Sequence, residues 1–448
     1  MTHSDYQTIP IVNPQGTDNE MLESLQRETF DYFLKEVNPK TGLVADKNQP
    51  GSASSIAVVG MCLTALIVGI ERKYISRKAA IDRILKILRF FWNSPQGPEP
   101  DSTGYKGFYY HFLDMDSGTR ACNCELSTID TTFLLAGALT VATYFKGNGK
   151  AEREIRQLTD DLYRRVDWVW ALNGGTTISH GWKPESGFLP FRWDTDYNEA
   201  ILLYLLALGS PTYPVHEEGY RNWTSGFTLK KLYEIEHLYA GPLFIHQFSH
   251  MWVDFRGITD EFNRKAGFDY FENSRRATLV HRLYAIENPQ KFDHYGPFVW
   301  GLTASDGPGN SVLDIRGTQR IFFDYVARGA PFGPDDGTVS PWAVVASLPF
   351  APEIVIDTIR HAIERLNLKR HRLYGFDSSF NPTYPEKQAV PTGWVSPWRF
   401  GLNQGPTVIM IENYQSELIW KIMQQCPYMI KGLRKAGFSN GWLNGNPF

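Results

Sequence analysis

The sequence predicts an all-α protein closed into a ring of helical hairpins, an α/α toroid, and three observations predict it. Helical segments of two kinds take turns along the chain, no strand-helix-strand pattern interrupts them, and aromatic residues followed by acids recur ahead of the apolar segments. One large domain then accounts for a chain of 448 residues that simple division would split into two or three. We assign residues 1–19 to an N-terminal extension and residues 20–448 to that single domain.

The first kind of segment carries its charges on one face: Glu20 to Val37, Arg77 to Phe91, Glu152 to Trp170, Asp260 to Ile286 and Glu353 to Leu368. Such stripes are expected of outer helices with one face in water. The second kind is apolar nearly all round: Ile56 to Ile70, Thr131 to Phe145, Ile201 to Leu208, Trp342 to Leu348 and Val408 to Trp420. A helix without a polar face must be surrounded by protein, so these are expected inside. Between Tyr284 and Pro341 the chain is rich in Gly, Pro, Asp and Asn, as a functional loop region would be.

The recurrence links fold to chemistry. Gly107-Phe108 and His111 precede Asp114, Glu125 and Asp130; Gly187-Phe188 precedes Asp194, Asp196 and Glu199; Gly375-Phe376 precedes Asp377. If the inner helices run parallel, their entrances meet at one end and acids of separate units converge on one pocket. Trp193 and Tyr197 add flat apolar faces beside the second set of acids, and a sugar ring uses both.

The totals narrow the partner. Net charge is −3 with both signs interspersed, so no basic stripe argues for nucleic acid, and a small or uncharged partner is expected. Aromatics make up 14% of the residues, many of them in loop-like stretches beside Gly, Pro and Asp. Cys62, Cys122, Cys124 and Cys426 are too irregular for a disulfide framework, and Cys122-x-Cys124 lacks zinc spacing. No basic region followed by an apolar run stands at the N-terminus, which suggests a cytoplasmic location, or a periplasmic one if a leader has been removed. Gly51 to Ile70 carries no charge, but its first third is Gly, Ser and Ala, so a buried helix rather than a membrane span is expected.

Glycoside hydrolysis needs a proton donor with a raised pKa and a second carboxylate that activates water or attacks carbon. Glu199, at the head of an apolar helix, is the first choice for the donor, although Asp196 and Glu199 equally suit a plain first helical turn. For the second acid, Glu125 and Asp130 or Asp377 are available. Ser127-x-x-Asp130 also fits a capping box, and Asp377 also fits a turn. His246, His250 and Asp254 at i, i+4 and i+8 could ligate a metal from one helix face. No Glu adjoins the first His, however, and Asp114-Met-Asp116 falls short of a calcium loop, so no metal and no cofactor is expected. No phosphate loop, Gly-x-Ser-x-Gly elbow or dinucleotide fingerprint occurs.

Five runs are more distinctive than these patterns: Phe244 to Arg256, Asp269 to Thr278, Trp300 to Pro308, Glu125 to Thr131 and Gly401 to Pro406. Together they resemble the bacterial glucoamylase-like proteins, the group that includes glycoside hydrolase family 144, over about Met21 to Phe438. The resemblance implies an all-α (α/α)6 barrel with short β-hairpins in the loops of the catalytic rim. It implies endo-β-1,2-glucanase activity with inversion, and it makes Glu199 the essential acid. Glu125 and Asp130 match the family's acid segment, and Asp377 the acid after its Gly-Phe pair.

The expected enzyme is therefore a monomeric, inverting glycoside hydrolase acting on an oligo- or polysaccharide. Glu199 protonates the leaving oxygen, directly or through a substrate hydroxyl, and Asp377 or Asp130 activates water. The expected substrate-binding set is Glu125, Arg192, Trp193, Asp194, Tyr197, His250, Arg256, Trp300, Asp306 and Trp342. Trp193, Trp300 and Trp342 would stack on sugars, while Arg192 and Arg256 would bind hydroxyls or orient the acids. A glucoamylase-type exo-hydrolase of α-glucans, a polysaccharide lyase and a non-catalytic carbohydrate-binding protein stay open as alternatives.

Overall fold

The computed structural model describes residues 16–369, 373–385 and 392–445. Most of the proposed extension, residues 1–15, lies outside them. The chain is mostly helical, in two layers consistent with a helical barrel. It opens with α1 (Asp18–Phe30), whose Thr17 and Glu20 form a reciprocal capping box, and the short α2 (Tyr32–Lys35).

Inner and outer helices then alternate as their polarity requires. α3 (Ile56–Glu71) buries every residue from Ile56 to Gly69 and is followed by α4 (Arg77–Asn93). α5 (Thr128–Tyr144) is buried from Thr128 to Val141, whereas α6 (Lys150–Arg165) buries only Ile155, Thr159, Leu162 and Tyr163. α7 (Ile201–Gly209) is buried throughout and leads to α8 (Glu217–Ser225). After α9 (Glu261–Ala266) and α10 (Tyr270–Glu287) come the inner α11 (Pro341–Ala346) and the outer α12 (Pro352–Glu364). α13 (Gly401–Ser416), α14 (Leu418–Met423) and α15 (Pro427–Lys435) complete the chain. No helix among the described residues is long and apolar enough to cross a membrane.

The inner helices touch in a definite order: α7 beside α5, α5 beside α3, α3 beside α13, and α13 beside α11. Glycines set two of these approaches. A Cβ on Gly60 would lie 2.1 Å from the Phe133 carbonyl oxygen, and one on Gly137 would lie 2.0 Å from that of Gly60. Only hydrogen at these positions lets α3 and α5 meet backbone to backbone. α3 and α13 run parallel: Gly401 faces Val58, Gly405 faces Met61, and at the far end Arg72 Nε donates to Glu412 Oε2 at 2.7 Å.

Several boundaries differ from the sequence reading. Glu20 to Val37 is two helices that break at Asp31, and Asp260 to Ile286 divides at Gly267, whose φ of 80° ends α9. The last inner stretch begins earlier, at Gly401, and breaks at Glu417, where φ is 61°. His246 to Asp254 is not one helix. It forms two 3-10 turns, Leu243–His246 and Ser249–Met251, held by the Leu302 carbonyl and by a bond from Leu202 N to Ser249 Oγ. The strands are short: a five-stranded sheet formed by residues between Gly104 and Phe188, hairpins at Leu229–Leu238 and Ser311–Phe322, and three two-stranded pairs.

Candidate active site

The N-termini of α3, α5, α7 and α13 bring separate chain segments together. The Ile56 N–H at the head of α3 donates to the His111 carbonyl at 3.2 Å, and His111 N donates to the Glu125 carbonyl at 3.0 Å. His111 is thereby fixed between the start of α3 and the strand that feeds α5. At the head of α5, Ser127 Oγ caps by accepting from Asp130 N at 3.1 Å and donates to Asp130 Oδ2 at 2.5 Å. Only half of the predicted capping box forms, so the Asp130 carboxylate is turned toward His111, whose Nε2 lies 3.7 Å away. His111 Nδ1 faces Glu125 Oε1 at 3.0 Å.

Two further segments complete the group. Asp46 precedes α3, and its carbonyl receives the Gly401 N–H at 2.7 Å, which ties it to the head of α13. Glu199 precedes α7; its carbonyl accepts from Ser249 Oγ at 3.2 Å, and Asn198 Oδ1 accepts the following N–H at 3.0 Å. Asp196, at φ 47°, turns the chain into this helix and is pinned by the Trp223 indole N–H.

The carboxyl groups sense one another. Burial, aided by the Asp130 charge, pushes Glu199 up to about 7, although its contact with its own backbone N–H opposes this. Burial and Asp130 raise Asp46 to about 6 against the opposing charges of His111 and Lys47. Burial lowers His111, but Asp130, Glu125 and Asp46 together outweigh it and bring it to about 9. Burial raises Glu125, yet its hydrogen bond to His111, that ring's charge and Lys183 leave it below the ordinary carboxylate range. Asp306, raised by burial and by Asp324, accepts from Ser396 Oγ at 2.7 Å. Tyr325 is half exposed, and Asp46, Asp306 and Asp130 all raise its phenol in addition to burial. A carboxyl that retains a proton toward neutrality thus shares a site with other carboxylates, the division of labour that acid-base catalysis needs.

Of the residues expected from sequence, the structure therefore brings together Glu199, Asp130, Glu125 and Asp306. Asp377 is 2% exposed and ion-paired with Arg399. Arg192 donates to the carbonyls of Leu172, Thr177 and Asn173, and Asp194 accepts from Thr177 Oγ1 at 2.9 Å, so both brace their own loop. Trp193 is buried, stacked on His180 at 3.8 Å, with its indole N–H on Thr128 Oγ1. Tyr197 is buried among Tyr270, Phe227 and His246. Trp300 and Trp342 are also buried, Trp300 donating to Thr358 Oγ1 at 3.1 Å, so neither presents an open face.

His250, whose ring burial pulls down to about 3, meets Ser274 Oγ, and His246 faces the Ala240 carbonyl. Arg256 grips Asp254 through Nε and Nη2, both at 2.8 Å, and reaches Glu417 at the C-terminal end of α13. That end is about 24 Å from Gly401 at the rise of an α-helix, so Arg256 stands at the opposite pole from the acids. The His246, His250 and Asp254 side chains thus have separate partners and form no metal set. Among the described residues, one group with donor atoms within 4.8 Å of one another is His111, Glu125 and Asp130, held together as a hydrogen-bonded and ion-paired triad.

Sequence reasoning missed Asp46, Tyr325, Lys47 and Ser396, and it noticed His111 without giving it a role. For Asp46 the signal was present: like Glu125 and Glu199, it is an acid within ten residues of an apolar helix.

Comparison with known proteins places this geometry in context. Residues 190–427 match the Glycoamylase family, described as "Putative glucoamylase". The exo β-1,2-glucooligosaccharide sophorohydrolase (non-reducing end) of Parabacteroides distasonis is 28% identical over 466 residues, covering 96% of this chain. The chain spans 60% of that relative's length. A "putative glucoamylase" of Bacteroides uniformis superposes with a TM-score of 0.83 at 30% identity, covering 96% of this chain and all of that one. The endo-β-1,2-glucanase of Chitinophaga pinensis, solved with sophorotriose and glucose, gives 0.82 at 27% identity, with 96% and 100% covered.

Proposed function

We propose that this chain, which belongs to the Glycoamylase family, is a glycoside hydrolase that cleaves β-1,2-linked glucan. The observation that carries the proposal is Glu199, a carboxyl raised to about 7 at the head of α7, under the influence of Asp130 at the head of α5. The names of the Chitinophaga and Parabacteroides relatives support the linkage. The order in which the inner helices touch, with α3 and α13 running parallel, supports reading the fold as an (α/α)6 barrel whose acids stand on one rim with hairpins in its loops.

In this reading Glu199 protonates the leaving glycosidic oxygen, directly or through a sugar hydroxyl, and Asp130 takes the proton of the attacking water. The anomeric carbon is inverted, and the β-linked chain yields an α-anomer. Asp130 is preferred to Asp377 as base because it belongs to the coupled acids, whereas Asp377 is buried against Arg399. Tyr325 and Asp306 would bind sugar hydroxyls at the mouth. All these groups come from one chain, so the monomer is the proposed active unit, and cleavage is proposed to be internal.

The test is to incubate the protein with α- and β-glucans of defined linkage, size the products and follow the first-formed anomer by NMR. Sophoro-oligosaccharides of several lengths, released only from β-1,2-glucan as α-anomers, are expected. Hydrolysis of α-glucan alone, or unsaturated products, would reject the proposal; sophorose alone would replace endo by exo action.

A further inference from the structure

The His111 ring is held unusually well for a side chain in contact with water. Its backbone is fixed on both sides, by Ile56 N–H on its carbonyl and by the Glu125 carbonyl on its N–H. Its ring stacks on Phe112 at 4.0 Å with planes 13° apart. The Nδ1 to Glu125 distance of 3.0 Å requires a proton on that nitrogen, because a carboxylate can only accept. A neutral ring would then turn the Nε2 lone pair toward Asp130 Oδ2, 3.7 Å away, where two acceptors repel. With both nitrogens protonated the same geometry becomes an ion pair on one side and a charge-assisted hydrogen bond on the other.

We propose that His111 is a positioning residue, an imidazolium that bridges Glu125 and Asp130 and keeps the proposed base oriented within a crowd of acids. The proposal rests on the hydrolase reading above, and Asp130 remains the group that meets water. The charged groups that raise the ring are acids: Asp130 from α5, Glu125 from the segment before it, and Asp46 from the segment before α3. Beyond these, Glu199 and Tyr325 sense Asp130, Lys47 faces Asp46, and Lys183 faces Glu125. Removing the imidazolium takes away the cation that stands between the two carboxylates.

Two variants separate charge from shape. His111→Gln keeps a neutral donor near the Nε2 position, and His111→Asn keeps one near Nδ1. Near-ultraviolet circular dichroism and thermal melting first establish that each is folded. The acidic limb of the pH-rate profile is then measured on β-1,2-glucan, and the Glu125 carboxyl is titrated by carbon NMR. In both variants the limb and the Glu125 titration should move up by about one pH unit, as loss of an adjacent opposite charge requires, with little change in KM. On that limb the rate at a given pH then falls about tenfold. If Gln at this position leaves both titrations where the native protein has them, the imidazolium role is overturned and shape alone matters. If the native protein does not hydrolyse glucan, the hydrolase reading falls, and the Glu125 titration by itself decides for or against the bridging cation.

Discussion

Replacing Glu199 by Gln should make the folded protein more stable at alkaline pH, and the size of that gain measures how far the fold resists ionising this carboxyl. The group is raised from 4.5 to about 7 in the folded state. Between those values the folded protein holds a proton that the unfolded chain has released, so stability falls as pH rises through this window. Below 4.5 both states are protonated and the contribution is fully present; above about 7 it is lost. The displacement corresponds to about 3 kcal/mol, since one pKa unit is about 1.4 kcal/mol. Because the Glu199 side chain keeps partial contact with water, about 2 kcal/mol is the expected gain once screening is allowed for. Gln is nearly isosteric and never ionises, so the variant escapes this loss. Urea unfolding of both proteins at pH 4, 6 and 9 tests it. The stability difference should grow from pH 4 to pH 9 by about that amount, in favour of Gln. A difference that is flat with pH, or that grows in favour of the native protein, would refute the claim that the site disfavours the Glu199 anion.

Three further outcomes are expected. Gly60→Ala places a methyl 2.1 Å from the Phe133 carbonyl oxygen, and its neighbours are backbone atoms that cannot swing aside; thermal or urea unfolding should show a loss of about 1–3 kcal/mol. Asp377→Asn neutralises one buried ion-pair partner of Arg399, and unfolding should show destabilisation of about 1–3 kcal/mol. Its kcat on β-1,2-glucan should stay within a few-fold of native, whereas a folded but inactive protein would make Asp377 the base. Arg256→Ala, at the pole opposite the acids, should lower the melting temperature through loss of its pairs with Asp254 and Glu417 while leaving kcat and KM unchanged.

The helix layers were legible because burial leaves a compositional mark. α3 and α7 are apolar on every face, so no orientation could put them at the surface, and α6 shows four buried positions against a charged remainder. Glu199 was legible for a related reason, being an acid joined directly to an apolar run. The stretch from His246 to Asp254 was not, since it has helical spacing in sequence but folds as two 3-10 turns whose shape is set by Leu302 and Leu202. Nor does sequence separate an indole that stacks on sugar from one that fills a core: Trp300 stands in the same kind of loop as Asp306, yet its ring is packed away and its N–H is taken by Thr358. Asp46 and Tyr325 escaped notice because their roles arise from convergence. Asp46 carries only the weak mark of an acid ahead of an apolar helix, and only the meeting of separate segments brings it and Tyr325 to Asp130.

The central claim, that Glu199 and Asp130 act as acid and base across one rim, is tested most directly by turnover of β-1,2-glucan by Glu199→Gln and Asp130→Asn, each established as folded. Each single change should lower kcat by about a hundredfold or more, the contribution typical of a positioned proton donor or acceptor. Turnover within a few-fold of native in either variant would contradict that claim.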